Sequence, residues 1–221
     1  MATTPAAPSL RKDAQRNLER LLDAAQEAFA SDGIDVGVDE IARRAGVGIG
    51  TLYRRFPTKE ALIDAIVDRR TEEIVALVDQ AVAVSHDDPW GGVALFFSGI
   101  LERHARDRGF KALIAARTDD TGKAALRARV RPRLVELVQR AQAAGELRAD
   151  VTVDDLTVLF WGAGRALEIT GDVTPEYWRR YAGLVLDGLR APAATPLDVP
   201  ALTDDEADRL ATAWAASCRM R

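Results

Sequence analysis

The chain has 221 residues, of which 48% are hydrophobic, and a formal net charge of -4; this composition suits a folded protein with a substantial core. No apolar run approaches the roughly 18 to 20 residues that span a bilayer, and the N-terminus lacks the features of a signal peptide, so we expect a cytoplasmic protein with no membrane partner. The lone Cys218 excludes an internal disulfide, and the acidic balance argues against a protein that coats nucleic acid indiscriminately.

The N-terminal third of the chain predicts four helices. Apolar residues recur at three- and four-residue steps, and the predicted helices are Asp13 to Ser31, Val38 to Ala45, Ile49 to Phe56 and a long one from Thr58 to about Val84. Gly46 can adopt the left-handed conformation that ends the second helix, and Thr58 can cap the fourth. The fourth helix is long enough to leave a first domain and enter a second.

The remainder of the chain also has helical periodicity, with no strand-like alternation. The predicted helices are 89–106, 109–116, 121–144, 153–170 and 175–189. Pro132 is expected to kink or break the helix that contains it. Three prolines after Arg190 predict an extended linker, followed by a last short helix that Thr203 caps. The sequence therefore predicts an all-α fold.

Basic residues cluster in the segment from Ile41 to Lys59, which contains no acidic residue. They are Arg43, Arg44, Arg54, Arg55 and Lys59. A positive patch of this size on an acidic protein is an electrostatic footprint for a limited contact with nucleic acid.

The two short helices and the turn between them have the parts of a helix-turn-helix unit. Ile41, Ala42 and Leu52 supply internal apolar contacts, and Phe56 can fold back onto the first helix near Phe29. In such a unit the second helix of the pair can enter the DNA major groove. A three-helix packing unit without a ligand is the alternative that the helix pattern leaves open.

The run "IARRAGVGIGTLYRRFPTKEAL", Ile41 to Leu62, resembles the DNA-binding signature of the TetR family of one-component regulators. A second run, "LFWGAGRALEITGDVTPEYWRRYAGLVLDGLRA", resembles the C-terminal region of an actinobacterial branch of that family. The resemblance implies a small N-terminal DNA-binding domain and a larger helical regulatory domain. We expect these at residues 10–57 and 58–190, with a Pro-rich linker and short helix at 191–221.

The resemblance also assigns DNA contacts. It implies base-edge contacts for Gly48, Ile49, Gly50 and Thr51, and phosphate contacts for Tyr53 and Lys59, while Arg54 and Arg55 flank the groove. Three positions depart from the family pattern, because Gly37 stands where Thr is usual, Gly48 where Ser is usual and Arg55 where His is common. Ile49 offers only an apolar contact, such as with a thymine methyl.

Basic residues also lie at the N-terminus of the chain. Arg11 and Lys12 precede the first predicted helix and could reach an adjacent groove. A disordered, solvated arm is the interpretation that we favour for this segment.

The predicted partners are a double-stranded DNA operator, a second copy of the chain and a small-molecule effector. We expect a homodimer built from the helices at 153–170 and 175–189, where Gly162, Ala163 and Gly164 allow close approach. Release from DNA by the effector would make the protein a repressor. Activation remains open, as does a helical partner-binding module with a vestigial DNA-binding unit.

An effector pocket is expected in the larger domain, mainly from aromatic and apolar residues with an arginine as polar contact. The candidate lining residues are Phe96, Phe97, Leu101, His104, Phe110, Leu113, Arg117, Phe160, Trp161 and Arg165. The sequence has no recognised motif of a catalytic site or of a metal centre. We therefore predict no enzyme activity, no cofactor and no metal.

Overall fold

The computed structural model describes residues 7–106, 120–171 and 173–219. Within these ranges the chain forms nine α-helices and a 3-10 turn at Ala191–Ala193. The helices are α1 (Ala7–Asp32), α2 (Val38–Ala45), α3 (Ile49–Arg55), α4 (Lys59–Val84), α5 (Pro89–Arg106), α6 (Asp120–Ala143), α7 (Val153–Thr170), α8 (Tyr177–Leu189) and α9 (Asp204–Arg219). No β-strand occurs in this described part, where one isolated bridge joins Leu147 to Arg190. The predicted all-α fold is confirmed.

The predicted starts of α1 and α8 need correction. Helix α1 begins at Ala7, so the backbone of Arg11 and Lys12 is helical and does not form a disordered arm. Helix α8 begins at Tyr177, two residues after the predicted start at Pro175. The predicted helix at 109–116 lies outside the described residues. None of the helices in the described ranges is long and apolar enough to cross a membrane.

Residue contacts divide the chain into two compact units, and the first includes the described residues 7–69. Its core is a single buried cluster from α1, α2, α3 and the start of α4. The cluster includes Leu21, Ala25, Ala28, Phe29, Ile41, Ala42, Leu52, Phe56, Leu62 and Ile66. Each helix of the unit therefore turns one apolar face inward, as the period of its sequence predicts.

The second unit includes the described residues from Arg70 onwards. Its main core joins α4, α5, α6 and α7, and Val78, Ala81 and Leu137 are among its most buried residues. Gly92 lies where α4, α5 and α6 meet, because an added Cβ would come within 2.7 Å of the Ala81 carbonyl oxygen and 2.9 Å of a Leu137 methyl. Only glycine allows these helices to pack this closely.

Helix α6 passes through Pro132 without ending, so of the predicted kink or break the break does not occur. Ion pairs fix the helix on both sides of the proline, from Arg131 to Asp154 of α7 before it and from Arg133 to Asp79 of α4 after it. Pro132 itself is exposed. The backbone carbonyl that loses its hydrogen bond at this position can therefore meet water, and tertiary contacts outweigh the local cost of proline.

The C-terminal segment is attached to the second unit at several points. Arg148 donates to the Thr195 carbonyl oxygen at 2.6 Å, which fixes the linker. Thr203 and Glu206 form reciprocal hydrogen bonds at the start of α9, which confirms the predicted cap. The indole of Trp214 stacks on that of Trp161 in α7, with ring centroids 5.1 Å apart.

Candidate nucleic-acid interface

The turn between α2 and α3 has the backbone geometry of a helix-turn-helix unit. Gly46 ends α2 in the left-handed region, with φ 66° and ψ 30°, and its N–H donates back to the carbonyl oxygens of Ala42 and Arg43. Gly48 precedes α3 in an extended conformation and supplies no side-chain cap, and the same is true of Gly37 before α2. Glycine is a tolerable N-cap, so each lost cap costs only a few tenths of a kcal/mol.

Two apolar residues anchor α3 on the rest of the first unit. Leu52 is 1% exposed and Phe56 is 7% exposed, and both belong to the same core cluster as Phe29. Burial of two large side chains stabilises this arrangement by about 3 to 6 kcal/mol relative to their exposure. The opposite face of α3 is consequently held in a defined orientation towards solvent.

That outward face contains the residues assigned to DNA contacts. Ile49 is 40% exposed and Tyr53 is 47% exposed, and both count among the large hydrophobic side chains that remain accessible. Thr51, Arg54 and Arg55 are exposed as well. No neighbouring atom lies within 4 Å of a Cβ added at Gly48 or Gly50, so the backbone of this turn is open on its outer side.

The positive patch is smaller than its sequence implies. Glu40, one residue before the basic segment, accepts hydrogen bonds from Arg43 at 2.7 and 2.6 Å and from Arg44 at 2.7 Å. Arg44 also forms an ion pair with Asp32. The hydrogen bonds from Arg43 and then Arg44 lower the pKa of Glu40 to about 2, so this carboxylate is ionised near neutral pH.

The positive charge on and beside the outward face of α3 therefore comes from Arg54, Arg55 and Lys59. The structure pairs neither Arg54 nor Arg55 with a carboxylate among the described residues, and both are exposed on α3. Lys59 begins α4, where Thr58 caps the helix by accepting a hydrogen bond from the Ala61 N–H at 3.1 Å. The Lys59 ammonium lies 5.9 Å from the ring centroid of Phe29. A positive side chain at a helix N-terminus suits an anion.

The predicted effector residues of α5 and α7 lie together only in part. Phe97 stacks on Phe160 with centroids 4.7 Å apart, and Phe96 meets the same ring edge-on at 5.7 Å. Leu101 is fully buried in the same region. His104 contacts the Ile100 carbonyl oxygen through Nδ1 at 3.0 Å, within its own helix.

The other effector candidates do not join this aromatic cluster. Trp161 stacks on Trp214 of α9 instead, and Arg165 is exposed on α7. Phe110, Leu113 and Arg117 lie outside the described residues. No group of His, Cys, Asp or Glu residues in the described ranges could bind a metal ion.

Sequence reasoning missed two residues that shape these sites. Glu40 lies three and four residues before Arg43 and Arg44, a spacing at which helical side chains meet, and this signal was present in the sequence. Trp214 occurs in the last helix, and no spacing rule connects it with Trp161. Its contact depends on the tertiary path of the linker.

Two segments of the chain match known protein families. Residues 21–66 match the model of bacterial regulatory proteins of the tetR family, and residues 88–191 match that of the C-terminal domain of SbtR-like transcriptional regulators. An HTH-type transcriptional regulator from Staphylococcus aureus (strain USA300) is 36% identical over 61 residues, which is 27% of this chain. That match spans only 33% of the staphylococcal protein.

Two solved structures resemble the chain over most of its length. A TetR transcription regulatory protein from Mycobacterium vanbaalenii is 37% identical, with a TM-score of 0.59, and the match covers 82% of this chain and 99% of the other. A TetR transcriptional regulator from Streptomyces coelicolor is 30% identical, with a TM-score of 0.59 and coverage of 80% and 99%. On the evidence of its helix-turn-helix unit and of these relatives, the chain belongs to the TetR family of transcriptional regulators.

Proposed function

We propose that the protein is a homodimeric repressor that binds a palindromic DNA operator and is released by a small-molecule effector. The observation that carries this proposal is the outward face of α3, where exposed aromatic and basic side chains stand on a helix anchored by Leu52 and Phe56. DNA binding is assigned to residues 10–57 and dimerisation and effector binding to residues 58–190, while residues 191–221 are the Pro-rich linker and short C-terminal helix.

Tyr53 and Lys59 are the proposed phosphate contacts. The exposed Tyr53 hydroxyl can donate to a phosphate oxygen while its ring packs on sugar, and Lys59 adds charge at the N-terminus of α4. Arg54 and Arg55 flank these two residues and can contact the same backbone. Together they would orient α3 in the major groove without selecting a sequence.

The proposed dimer interface is the exposed face of α7 and α8. Val158, Ile169 and Leu184 are large apolar residues with exposures of 39%, 66% and 63%. Gly162 and Gly183 are exposed on the same two helices, and a Cβ at Gly183 would meet no atom within 4 Å. Apolar side chains beside small residues favour close packing against a second copy, which would align two recognition helices with half-sites about 34 to 36 Å apart.

Effector control is proposed to act through α4. This helix begins beside α3 in sequence and continues as one element to Val84, whose neighbours Val78 and Ala81 belong to the core of the second unit. A ligand shifts an equilibrium only by its difference in affinity between two states. The effector would therefore bind best to the state in which α4 does not align the recognition helices. The Phe96, Phe97 and Phe160 cluster is its proposed site.

The test of DNA binding uses the purified full chain and duplexes selected from a random pool. Tyr53→Phe and Lys59→Ala should each weaken binding to selected and unrelated duplexes by a similar factor, because phosphate contacts carry no sequence information. Lys59→Ala should also lower the salt slope by about one unit. Asp39→Asn, an exposed change in α2, serves as the control. Unchanged affinity in both variants would contradict this interface.

Repression and effector release require a second measurement. A reporter gene placed behind the selected operator should be expressed less when the protein is present, whereas higher expression would indicate an activator.

Compounds that raise the melting temperature of the protein should release the labelled operator in a dose-dependent manner. Phe160→Leu should weaken release while leaving operator affinity unchanged.

A further inference from the structure

Gly50 lies at a helical position where the internal packing of the fold does not require glycine. It lies inside α3, its φ is not positive, and a Cβ at this position would have no atom within 4 Å. Alanine would therefore fit without a clash and would favour the helix more than glycine does. A glycine that internal packing does not require points to an external body that comes close to this backbone.

Ile49, the neighbouring residue, is also unexplained by the internal packing. It is the first residue of α3, it is 40% exposed, and it belongs to none of the buried clusters of the described residues. A large β-branched side chain that is exposed to this extent and lies outside the buried clusters adds little to the core. Two adjacent residues that depart from local preference mark a contact surface more strongly than either does alone.

The polar groups available for base recognition at the start of α3 are few. Thr51 provides one hydroxyl, and neither Ile49 nor Gly50 can form a hydrogen bond through a side chain. The α2 arginines, Arg43 and Arg44, are already bonded to Glu40. The bidentate contacts by which Arg, Asn or Gln discriminate bases are consequently missing from this turn.

The major groove offers one apolar group at base edges, the C5-methyl of a pyrimidine. We propose that Ile49 is the specificity-determining residue of the recognition helix and that it packs on the C5-methyl of a thymine in each half-site. Gly50 lets the backbone approach closely enough for this contact. The inference rests on the proposed DNA-binding function and names the base chemistry that this function selects.

The experiment begins with operators selected by the full-length protein from a random duplex pool. Each thymine is replaced singly by deoxyuridine, which removes only the methyl group, and affinity is measured for the wild type and for Ile49→Ala. At one thymine of each half-site, replacement by deoxyuridine should weaken binding of the wild type about three- to fivefold. This factor corresponds to the free energy gained by burying one methyl group. Ile49→Ala should show no penalty at that position, because the partner of the methyl has been removed.

Three further arms separate this contact from its alternatives. Cytosine at the same position should bind more weakly than thymine, and 5-methylcytosine should recover part of the loss. Gly50→Ala should raise the melting temperature of the protein yet weaken operator binding, a pair of opposite effects that a purely structural glycine would not produce. Because Ile49 lies outside the buried clusters, Ile49→Ala should retain the wild-type melting temperature.

The possible results are distinguishable. A uracil penalty that is the same in the wild type and in Ile49→Ala, or no penalty at any thymine, would overturn the assignment of Ile49 while leaving DNA binding intact. If no duplex is enriched by selection, the proposed function fails, and the inference about Ile49 fails with it. A selected operator without thymine in the half-sites would also overturn the inference.

Discussion

The carboxylate of Glu40 binds two of the five basic residues that the sequence groups near the recognition helix. Its oxygens accept hydrogen bonds from Arg43 and Arg44 at 2.6 to 2.7 Å. Because the pKa of Glu40 is lowered to about 2, the pairing contributes fully to stability above the ordinary pKa and loses that contribution progressively as the pH falls from there through about 2. At neutral pH the two arginines therefore remain compensated by Glu40 together with Asp32, which pairs with Arg44.

This pairing predicts different effects for two arginines that are both exposed. Arg55→Gln should lower the slope of log affinity against log salt by about one unit per protomer, because its guanidinium is proposed to contact a phosphate. Arg43→Gln removes the same charge but should change the slope by much less, since Glu40 already neutralises it. Titration of each variant with the selected operator at several salt concentrations tests this difference. Equal slopes in the two variants would show that Arg43 leaves Glu40 when DNA binds.

Among the helices, the bounds of α2, α4, α5 and α7 could be predicted closely because apolar periodicity and helix caps are encoded locally. Thr58 and Thr203 are such caps, and both accept the expected backbone hydrogen bonds. The continuity of α6 through Pro132 could not be predicted in this way, because it depends on distant partners. Arg131 pairs with Asp154 and Arg133 pairs with Asp79, which lie 23 and 54 residues away from them in the chain. Local rules fail where distant side chains fix a helix.

The same limit applies to the candidate sites. The inward positions of Leu52 and Phe56 could be predicted from the sequence, whereas the DNA contacts on the opposite face of α3 were implied by the resemblance to the family. The effector candidates were chosen by residue type, and the structure separates Trp161 from the cluster around Phe160. Adjacent residues on a helix point about 100° apart, and which of them faces a pocket depends on the packing of neighbouring helices.

Helix α9 lies beyond the part of the chain that matches the SbtR-like domain, and its attachment gives a further prediction. The ion pairs of Asp204 and Asp208 with α6 are solvent-exposed on the acidic side, at 94% and 69%, and such pairs contribute little. The stacked indoles of Trp161 and Trp214 should contribute more, about 1 to 2 kcal/mol with the apolar burial that accompanies them.

Trp214→Ala should therefore release α9, and tryptic cleavage after Arg209 should accelerate roughly five- to thirtyfold when opening is fast relative to cleavage. Asp204→Asn, the matched control in the same helix, should accelerate it less than about twofold. Mass spectrometry of timed digests measures both rates. Similar rates for the two variants would assign the attachment of α9 to its charges rather than to the indole pair.

At the scale of the whole molecule, the proposed function requires two copies of the recognition helix α3 to reach the operator together. One short helix with few polar base contacts gives modest affinity, and pairing of two half-sites compensates for this. Helix α4 links the recognition helix to the second unit, because it begins after α3 and ends in that unit. DNA binding should therefore depend on residues far from α3 that join one protomer to its partner.

Leu184 provides the sharpest test of this dependence. It is 63% exposed on α8, so Leu184→Glu should leave the protomer folded, yet an unpaired carboxylate buried between two copies would cost several kcal/mol. The dissociation constant of the dimer should rise by roughly a hundredfold or more. Val199→Glu, which adds the same charge at a 76% exposed residue of the linker, should leave the dimer intact.

Sedimentation of the Leu184 variant should show monomers at concentrations where the wild type and the Val199 variant are dimers, with the helical content of all three unchanged. The affinity of the Leu184 variant for a two-half-site operator should then fall towards its affinity for a single half-site, because the second contact is no longer intramolecular. If this variant remains a dimer with wild-type operator affinity, another surface joins the protomers. In that case the exposed apolar residues of α7 and α8 serve a different partner.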